Sequence, residues 1–432
     1  MRYFSLNNHQ HFSNFENAVV RGLAPDKGLY FPEKIEKLPA SFFEELPKLN
    51  NLEIGYQSIR QFVGDEIPEE DLKKIISKTL DFEFPVVPVE NGISSLELFH
   101  GPTLAFKDIG ARFMAGCLGY FSQKSNLGNI TVLVATSGDT GGAVANGFLG
   151  VEGVEVVILY PKGKVSDLQE KQLTTLGQNI TALEVDGVFD DCQAMVKQAF
   201  LDETITKYRK LTSANSINVA RWLPQMFYYF IAAKQIQEKP VFAVPSGNFG
   251  NICAGLMARE LGLPVAHFVA ANNVNNTVVD FMDSGKYQPK PSTATISNAM
   301  DVGDPSNFVR ILQLFGNEHQ ALKKDFSAYS FSDEDTRKTI REVFQKENYI
   351  LDPHGAVGYL GLQQYLKETA SDAPGIFLET AHPVKFLDTV EEEIQTKVPV
   401  PESVRSLFDK KKKSLQISSK YEDLKRFLLD EN

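Results

Sequence analysis

Hydrophobic positions along the 432-residue chain follow two patterns. Near the N-terminus, DEIPEEDLKKIISKTL (65–80) places Leu72, Ile75, Ile76 and Leu80 at helical spacing, which predicts an amphipathic helix. GLYFP (28–32) reads as a strand end or turn. The proline-spaced FPVVPVENG (84–92) reads as an extended connector and a domain boundary. Beyond it come short, unbroken apolar runs, glycine-rich turns and helix-like stretches. ITVLVAT (130–136), EVVILYP (155–161), NITALEVD (179–186), PVFAVPS (240–246), VAHFVAAN (265–272) and GIFLET (375–380) predict strands. AVANGFLG, DDCQAMVKQAF (190–200) and ICAGLMAREL (252–261) predict helices between them. Continuous apolar strands alternating with helices imply parallel sheets covered on both faces, an α/β fold.

Composition narrows the function classes. With 44 basic against 55 acidic residues, the net charge of -11 argues against a general nucleic-acid binder but leaves room for a local phosphate pocket. Cys117, Cys192 and Cys253 are few, far apart and without CxxC spacing, which points to a reducing compartment and no zinc site. No apolar run reaches the roughly 18 residues of a membrane span. MRYFSLNNHQHF lacks the apolar core of a secretion signal, so a cytoplasmic location is expected. HExxH, GxSxG and Walker motifs are absent. The charged tail after Pro399, with KKKKSLQ inside it, reads as a solvated helix face.

Candidate chemistry starts from Lys107, the one lysine of ELFHGPTLAFKDIGARF (97–113). Taken alone, the window favours a solvent-facing lysine opening a helix. A lysine kept dry by Leu104, Ala105 and Phe106 would instead be a nucleophile. Two loops elsewhere bear on the choice. SGDTGG (137–142) and SGNFGN (246–251) each leave a strand and enter a helix N-terminus. Converging N–H groups and the helix dipole make such turns anion cradles. Neither matches GxGxxG. A ligand with one phosphate and one carbonyl would use a lysine for a Schiff base and one loop for its phosphate; pyridoxal 5'-phosphate is that ligand. SGNFGN is neutral, and Ser246, Asn248 and Asn251 can donate to a dianion. SGDTGG carries Asp139, which would repel one, so it goes to the carboxylate of an amino-acid substrate, with Ser137 and Thr140 facing it.

LFHGPTLAFKD (98–108), TSGDTGGA (136–143), SANSINVAR (213–221), PSGNFGN (245–251), NAMDV (298–302) and ETAHPVKF (379–386) together resemble the threonine synthase family, in its form without an S-adenosylmethionine-binding regulatory extension. The resemblance runs from GLYFP into the 380s. It implies a fold type II pyridoxal-phosphate enzyme: two parallel-sheet α/β domains with the cofactor between them, plus an N-terminal α+β region. The expected division is 1–92 for the N-terminal domain, 93–120 with 236–432 for the large domain, and 121–235 for the small one.

Carried onto these residues, the resemblance implies that Lys107 holds the cofactor covalently. It implies that Gly247, Asn248, Phe249, Gly250 and Asn251 bind its phosphate, beside the Ser246 donor read from the loop itself, and that the Thr380 hydroxyl lies near the pyridine nitrogen. Glu379 should point to the other side of its strand. The implied substrate is O-phospho-L-homoserine, converted with water to L-threonine and phosphate by γ-elimination and β-addition of water. Lys107, its pKa lowered by apolar neighbours, is the expected base. Ser137, Thr140 and nearby N–H groups such as that of Gly138 are expected at the substrate carboxylate, and Asp139 is expected to approach the cofactor's phenolic O3′ or an amino group. Ser213, Asn215, Ser216, Asn218, Arg221 and Arg112 are expected at its phosphate. His100, His354 and His382 are expected to pack or support, Trp222 to pack, and the cysteines to fill. No metal, nucleic acid or membrane is expected, and the chain should be a monomer or homodimer. The competing readings are another fold type II lyase such as a serine or threonine dehydratase, a non-catalytic phosphate-binding homologue, and a nucleotide-binding α/β protein.

Overall fold

A computed structural model describes residues 1–125, 128–236 and 238–430, and these residues build three sheets. The first is a small antiparallel sheet of Phe12–Asn14, Arg2–Ser5 and Tyr30–Pro32. Helices Asn51–Val63 and Glu69–Thr79 belong to the same N-terminal region, and the second is the helix predicted from residues 65–80.

The largest sheet runs in the order Phe326–Ser330, His267–Asn272, Val241–Pro245, Gly375–Glu379, Ile93–Glu97, Val86–Glu90. Only its last pairing is antiparallel. The third sheet is parallel throughout, in the order Leu415–Ser418, Ile180–Asp186, Val154–Pro161, Ile130–Ala135, Lys210–Thr212. Its central strands are buried at almost every position, as their unbroken apolar runs require.

Two expected boundaries move. Residues 84–92 are not a free connector, because Val86–Glu90 pairs with Ile93–Glu97 as a hairpin across the expected break at 92. Nor does all of 236–432 belong with the large sheet: Leu415–Ser418 crosses over and pairs with Ile180–Asp186. The lysine run is not a helix face either. It lies between Glu402–Arg405 and the strand Leu415–Ser418, and Lys412 bonds Glu170 (3.0 Å) and Glu184 (2.9 Å). Buried Glu184 gives that run a docking point that charge counting cannot reveal.

Helix Lys107–Lys124 is the hub between these units. A Cβ on Gly116 would lie 2.7 Å from Ile75, and one on Gly110 would lie 2.4 Å from the Arg221 carbonyl, so both glycines allow close approach. Phe113 is fully buried on this helix and meets Phe227 edge-on, with ring centroids 6.0 Å apart. Truncating such a ring to alanine costs about 3–5 kcal/mol.

Candidate functional site

Parallel sheets present their loops at the carboxyl ends of the strands. In the large sheet, the loop to Lys107 follows Ile93–Glu97, Thr380 follows Gly375–Glu379, and residues 246–251 follow Val241–Pro245. In the small sheet, SGDTGG follows Ile130–Ala135 and SANSINVAR follows Lys210–Thr212. All five segments therefore leave carboxyl edges. The two edges are tied together where Lys385 Nζ meets Asp139 Oδ1 at 2.7 Å.

The loop before Lys107 is tightly held. Leu104 adopts a left-handed backbone (φ 58°), which a leucine accepts only when its surroundings impose it. Its carbonyl accepts the His382 N–H, and the Phe106 N–H donates to the Thr380 carbonyl at 2.9 Å. Buried Asp108 accepts bonds from the Thr103 N–H (2.9 Å) and hydroxyl (2.5 Å), clamping loop to helix. Burial raises the Asp108 carboxyl to about 6.

Lys107 opens its helix half-buried. Among the described residues its amine makes no hydrogen bond or ion pair; it sits 5.8 Å from the Phe106 ring centroid. Burial is the largest influence and lowers its pKa. Asp139 opposes that shift, while Lys385 and Arg221 reinforce it. The amine is thus partly desolvated, acted on by one carboxylate and two cations, and has no hydrogen-bond partner among the described residues to give up before it reacts.

SGDTGG is held from within. Thr136 Oγ1 accepts the N–H groups of Gly138 (3.0 Å) and Gly141 (2.8 Å). Gly138 has φ 142°, and a Cβ there would strike Gln169 at 2.5 Å. Asp139 is buried and accepts from Gln169 (2.9 Å) and Lys385; those partners, with Lys107, hold its carboxyl far below the usual range despite burial. The half-buried Ser137 and Thr140 hydroxyls make no hydrogen bond among the described residues, so both are available to a carboxylate.

SGNFGN meets the requirements of a phosphate cradle, with one change from the sequence reading. Phe249 is left-handed (φ 59°) at the entry to helix Gly250–Glu260. A Cβ on Gly247 would lie 2.7 Å from Ala299 O and Met300 Cα. The N–H groups of Gly247, Asn248, Phe249 and Gly250 donate no bond among the described residues. The side-chain donors are mostly spent elsewhere. Ser246 Oγ donates to Val244 O at 2.8 Å, and Asn248 Nδ2 donates to Ser216 Oγ at 2.7 Å. Asn251 differs: its Oδ1 takes bonds from Tyr228 and Tyr229, and its buried Nδ2 is left without a partner. Free backbone donors plus one orphaned amide suit a phosphate dianion.

Thr380 is buried, and its hydroxyl makes no bond among the described residues. Glu379 turns the other way, as strand alternation demands. Its Oε1 accepts the Asp352 N–H at 3.2 Å beneath helix Pro353–Thr369, and burial beside Asp352 raises its carboxyl well above the normal range.

SANSINVAR divides in two. Ser213 is buried and Asn215 half-buried near the turn, and Ser216 Oγ joins Asn248 and Asn307. Arg221 is buried against Gly110, bonds the Ala214 carbonyl, and leaves Nε unpaired; burial lowers it to about 10. Asn218 is structural, since Oδ1 caps Ala220 N and Nδ2 donates to Val19 O at 2.8 Å.

Arg112 is not brought to Lys107. Five residues along a helix is about 140° around it. The guanidinium instead bonds Lys78 O (2.8 Å) and Asp81. The histidines pack and cap as expected: His100 meets Glu97 at 2.7 Å, His354 meets Asp352 at 2.6 Å, and His382 caps Val384 N. Lys385 has no role in the sequence reading, and its one signal there is that it is the lone lysine of ETAHPVKF.

Residues 95–378 match the family described as pyridoxal-phosphate dependent enzyme. Residues 2–80 match the threonine synthase N terminus, and 355–428 the threonine synthase C-terminal family. The chain is 43% identical to threonine synthase of Buchnera aphidicola subsp. Acyrthosiphon pisum over the whole of both chains. The crystal structure of the Escherichia coli enzyme superposes with a TM-score of 0.92 at 42% identity, covering 100% of each chain. A pyridoxal-phosphate-bound threonine synthase from Brucella melitensis gives 0.94 at 32% identity, over 100% of this chain and 99% of that one.

Proposed function

The chain belongs to the threonine synthase family of pyridoxal-phosphate-dependent enzymes, and from that membership we propose that it converts O-phospho-L-homoserine and water to L-threonine and phosphate. Pyridoxal phosphate, when bound, would supply an electron sink for the charge left at the substrate's Cα. The chain supplies positioning, proton transfer and anion binding.

Lys107 holds the cofactor and then acts as the base. Its lowered pKa leaves a larger neutral fraction to accept the Cα proton and later return it. The N–H groups of 247–250 and the Asn251 amide hold the cofactor phosphate; Ser246 shapes the turn rather than donating to it. Thr380 offers the ring nitrogen a neutral hydroxyl, while Glu379 stays committed to Asp352. A neutral partner does not fix a proton on that nitrogen as a carboxylate would. Ser137, Thr140 and the backbone of Gly138 and Asp139 take the substrate carboxylate. Arg221, with Ser213 and Asn215, takes the phosphate that leaves. Asn218 holds that loop in shape, and Arg112 has no part.

One observation favours a phosphorylated substrate over the simple hydroxy-amino acids of a dehydratase. Two buried cations, Lys385 and Arg221, act on the Lys107 amine; Lys385 is paired with Asp139, whereas Arg221 makes no hydrogen bond or ion pair to a carboxylate among the described residues and feels Asp108 only through space. The test is product identity. Purified protein loaded with pyridoxal phosphate should release phosphate and L-threonine in equal amounts from O-phospho-L-homoserine. A 2-oxo acid formed from L-threonine or L-serine, with no phosphate release, would replace this reading with the dehydratase one. The described residues contain no helix long and apolar enough to cross a membrane.

A further inference from the structure

Arg310, in helix Phe308–Leu314, is completely buried, yet no carboxylate pairs with it among the described residues. Its nitrogens donate only to neutral oxygens. Nε and Nη2 reach Tyr30 O at 3.3 and 3.1 Å, Nη2 reaches Ile217 O at 2.6 Å, and Nη1 reaches Ser216 O at 3.2 Å and Asn307 Oδ1 at 2.5 Å. The guanidinium also lies 4.9 Å from the Trp222 ring centroid. Cys253 and Tyr3, the groups that influence it electrostatically, are both held neutral by burial. A buried cation with no anion is costly unless something else supplies the countercharge.

Its contacts lead to the phosphate cradle. Asn307 Nδ2 donates to Asn248 O (3.0 Å) and to Ser216 Oγ (3.1 Å), and Asn248 Nδ2 closes the ring on Ser216 Oγ. One buried guanidinium therefore holds residues 216–217 of SANSINVAR and, through Asn307, the Asn248 turn of SGNFGN. We propose that Arg310 is a positioning residue whose unpaired charge is the built-in counterpart of a phosphate monoester dianion bound in front of these two loops. The inference rests on the cofactor reading above. The dianion is the cofactor's phosphate or the substrate's, and one set of measurements separates them.

In the first arm, apoenzyme is titrated with pyridoxal phosphate and with pyridoxal, which lacks the phosphate, by thermal shift and absorbance. Arg310→Gln should weaken pyridoxal phosphate roughly tenfold or more and leave pyridoxal within about twofold. In the second arm, inorganic phosphate inhibits turnover of saturated holoenzyme, and the variant should raise its inhibition constant. Loss in the first arm assigns Arg310 to the cofactor phosphate, and loss in the second assigns it to the substrate phosphate. Equal weakening of pyridoxal and pyridoxal phosphate, with phosphate inhibition unchanged, would reduce Arg310 to a packing role and overturn the proposal.

Should the glutamine variant not fold, Arg310→Lys decides the matter. It keeps a cation that burial pushes toward neutrality, so its preference for the phosphorylated ligand should fall as pH rises while that of the wild type holds. Parallel pH profiles would overturn the proposal. Failure of wild-type apoenzyme to bind pyridoxal phosphate would overturn the cofactor reading as well.

Discussion

Consider Lys385→Met, which removes a charge from the junction of the two sheets. The Lys385 and Asp139 side chains are 0% and 5% exposed and meet at 2.7 Å. Lys385 also donates to Thr103 O at 2.7 Å. Removing one partner of a buried pair costs about 3–5 kcal/mol, mostly because the other is left charged and dry. Here Asp139 keeps its bond from Gln169, and Thr103 O keeps one from Gln172 at 3.0 Å. The loss should therefore lie near the lower end, about 3 kcal/mol.

Urea unfolding of the apoenzymes measures it, with Asp139→Asn and the double variant completing a cycle. Neutralising Asp139 as well should recover at least about 2 kcal/mol, because the stranded charge is then gone. The same change reaches Lys107. Lys385 lowers the Lys107 pKa and Asp139 raises it. Freeing Asp139 favours the protonated amine, so the acid limb of the kcat profile should move to higher pH. Additive single effects with an unmoved pH profile would refute this account of the pair.

Three further outcomes follow from the same geometry. Gly247→Ala drives a Cβ into the backbone of 299–300 and should weaken pyridoxal phosphate binding at least about tenfold, at a cost of about 1–3 kcal/mol, measured by cofactor titration and thermal unfolding. Arg112→Ala should leave kcat/KM unchanged and cost about 1 kcal/mol of stability, since its bonds go to Lys78 O and Asp81. His267 and His382 are pushed to about 4 by burial, while an unfolded imidazole titrates near ~6.5. Between those values the unfolded chain binds more protons, so stability should fall as pH drops through that window. His267→Gln should flatten the slope in pH-dependent urea titrations.

The interior strands were legible because a parallel strand buried on both faces is a continuous apolar run; Ile130–Ala135 and Val154–Pro161 are plain examples. Ile93–Glu97 was missed, and the boundary at 92 with it, because ISSLE is short and half polar and is held by Gly375–Glu379 from far along the chain. Leu415–Ser418 is an edge strand with two exposed residues, which gives no burial pattern to read. Within the candidate site, local motifs picked out Lys107, both loops and Thr380, which the fold brings to the carboxyl edges of the two sheets. What they could not convey is where side chains point. Nearness in sequence suggested Arg112, which helical phase turns away. Ser246 and Asn248 look like ligand donors until their bonds to Val244 and Ser216 are known. Lys385 and Arg310 gain meaning from partners far along the chain, Thr103 and Tyr30 among them.

The central claim is that Lys107 holds the cofactor and moves the Cα proton. Phosphate release from O-phospho-L-homoserine by wild type and Lys107→Ala, each given excess pyridoxal phosphate, tests it most directly. Wild type should turn over, and the alanine variant should lose at least about a thousandfold, the middle of the roughly 10²–10⁴ that a general base alone contributes. Full activity in Lys107→Ala would contradict the account.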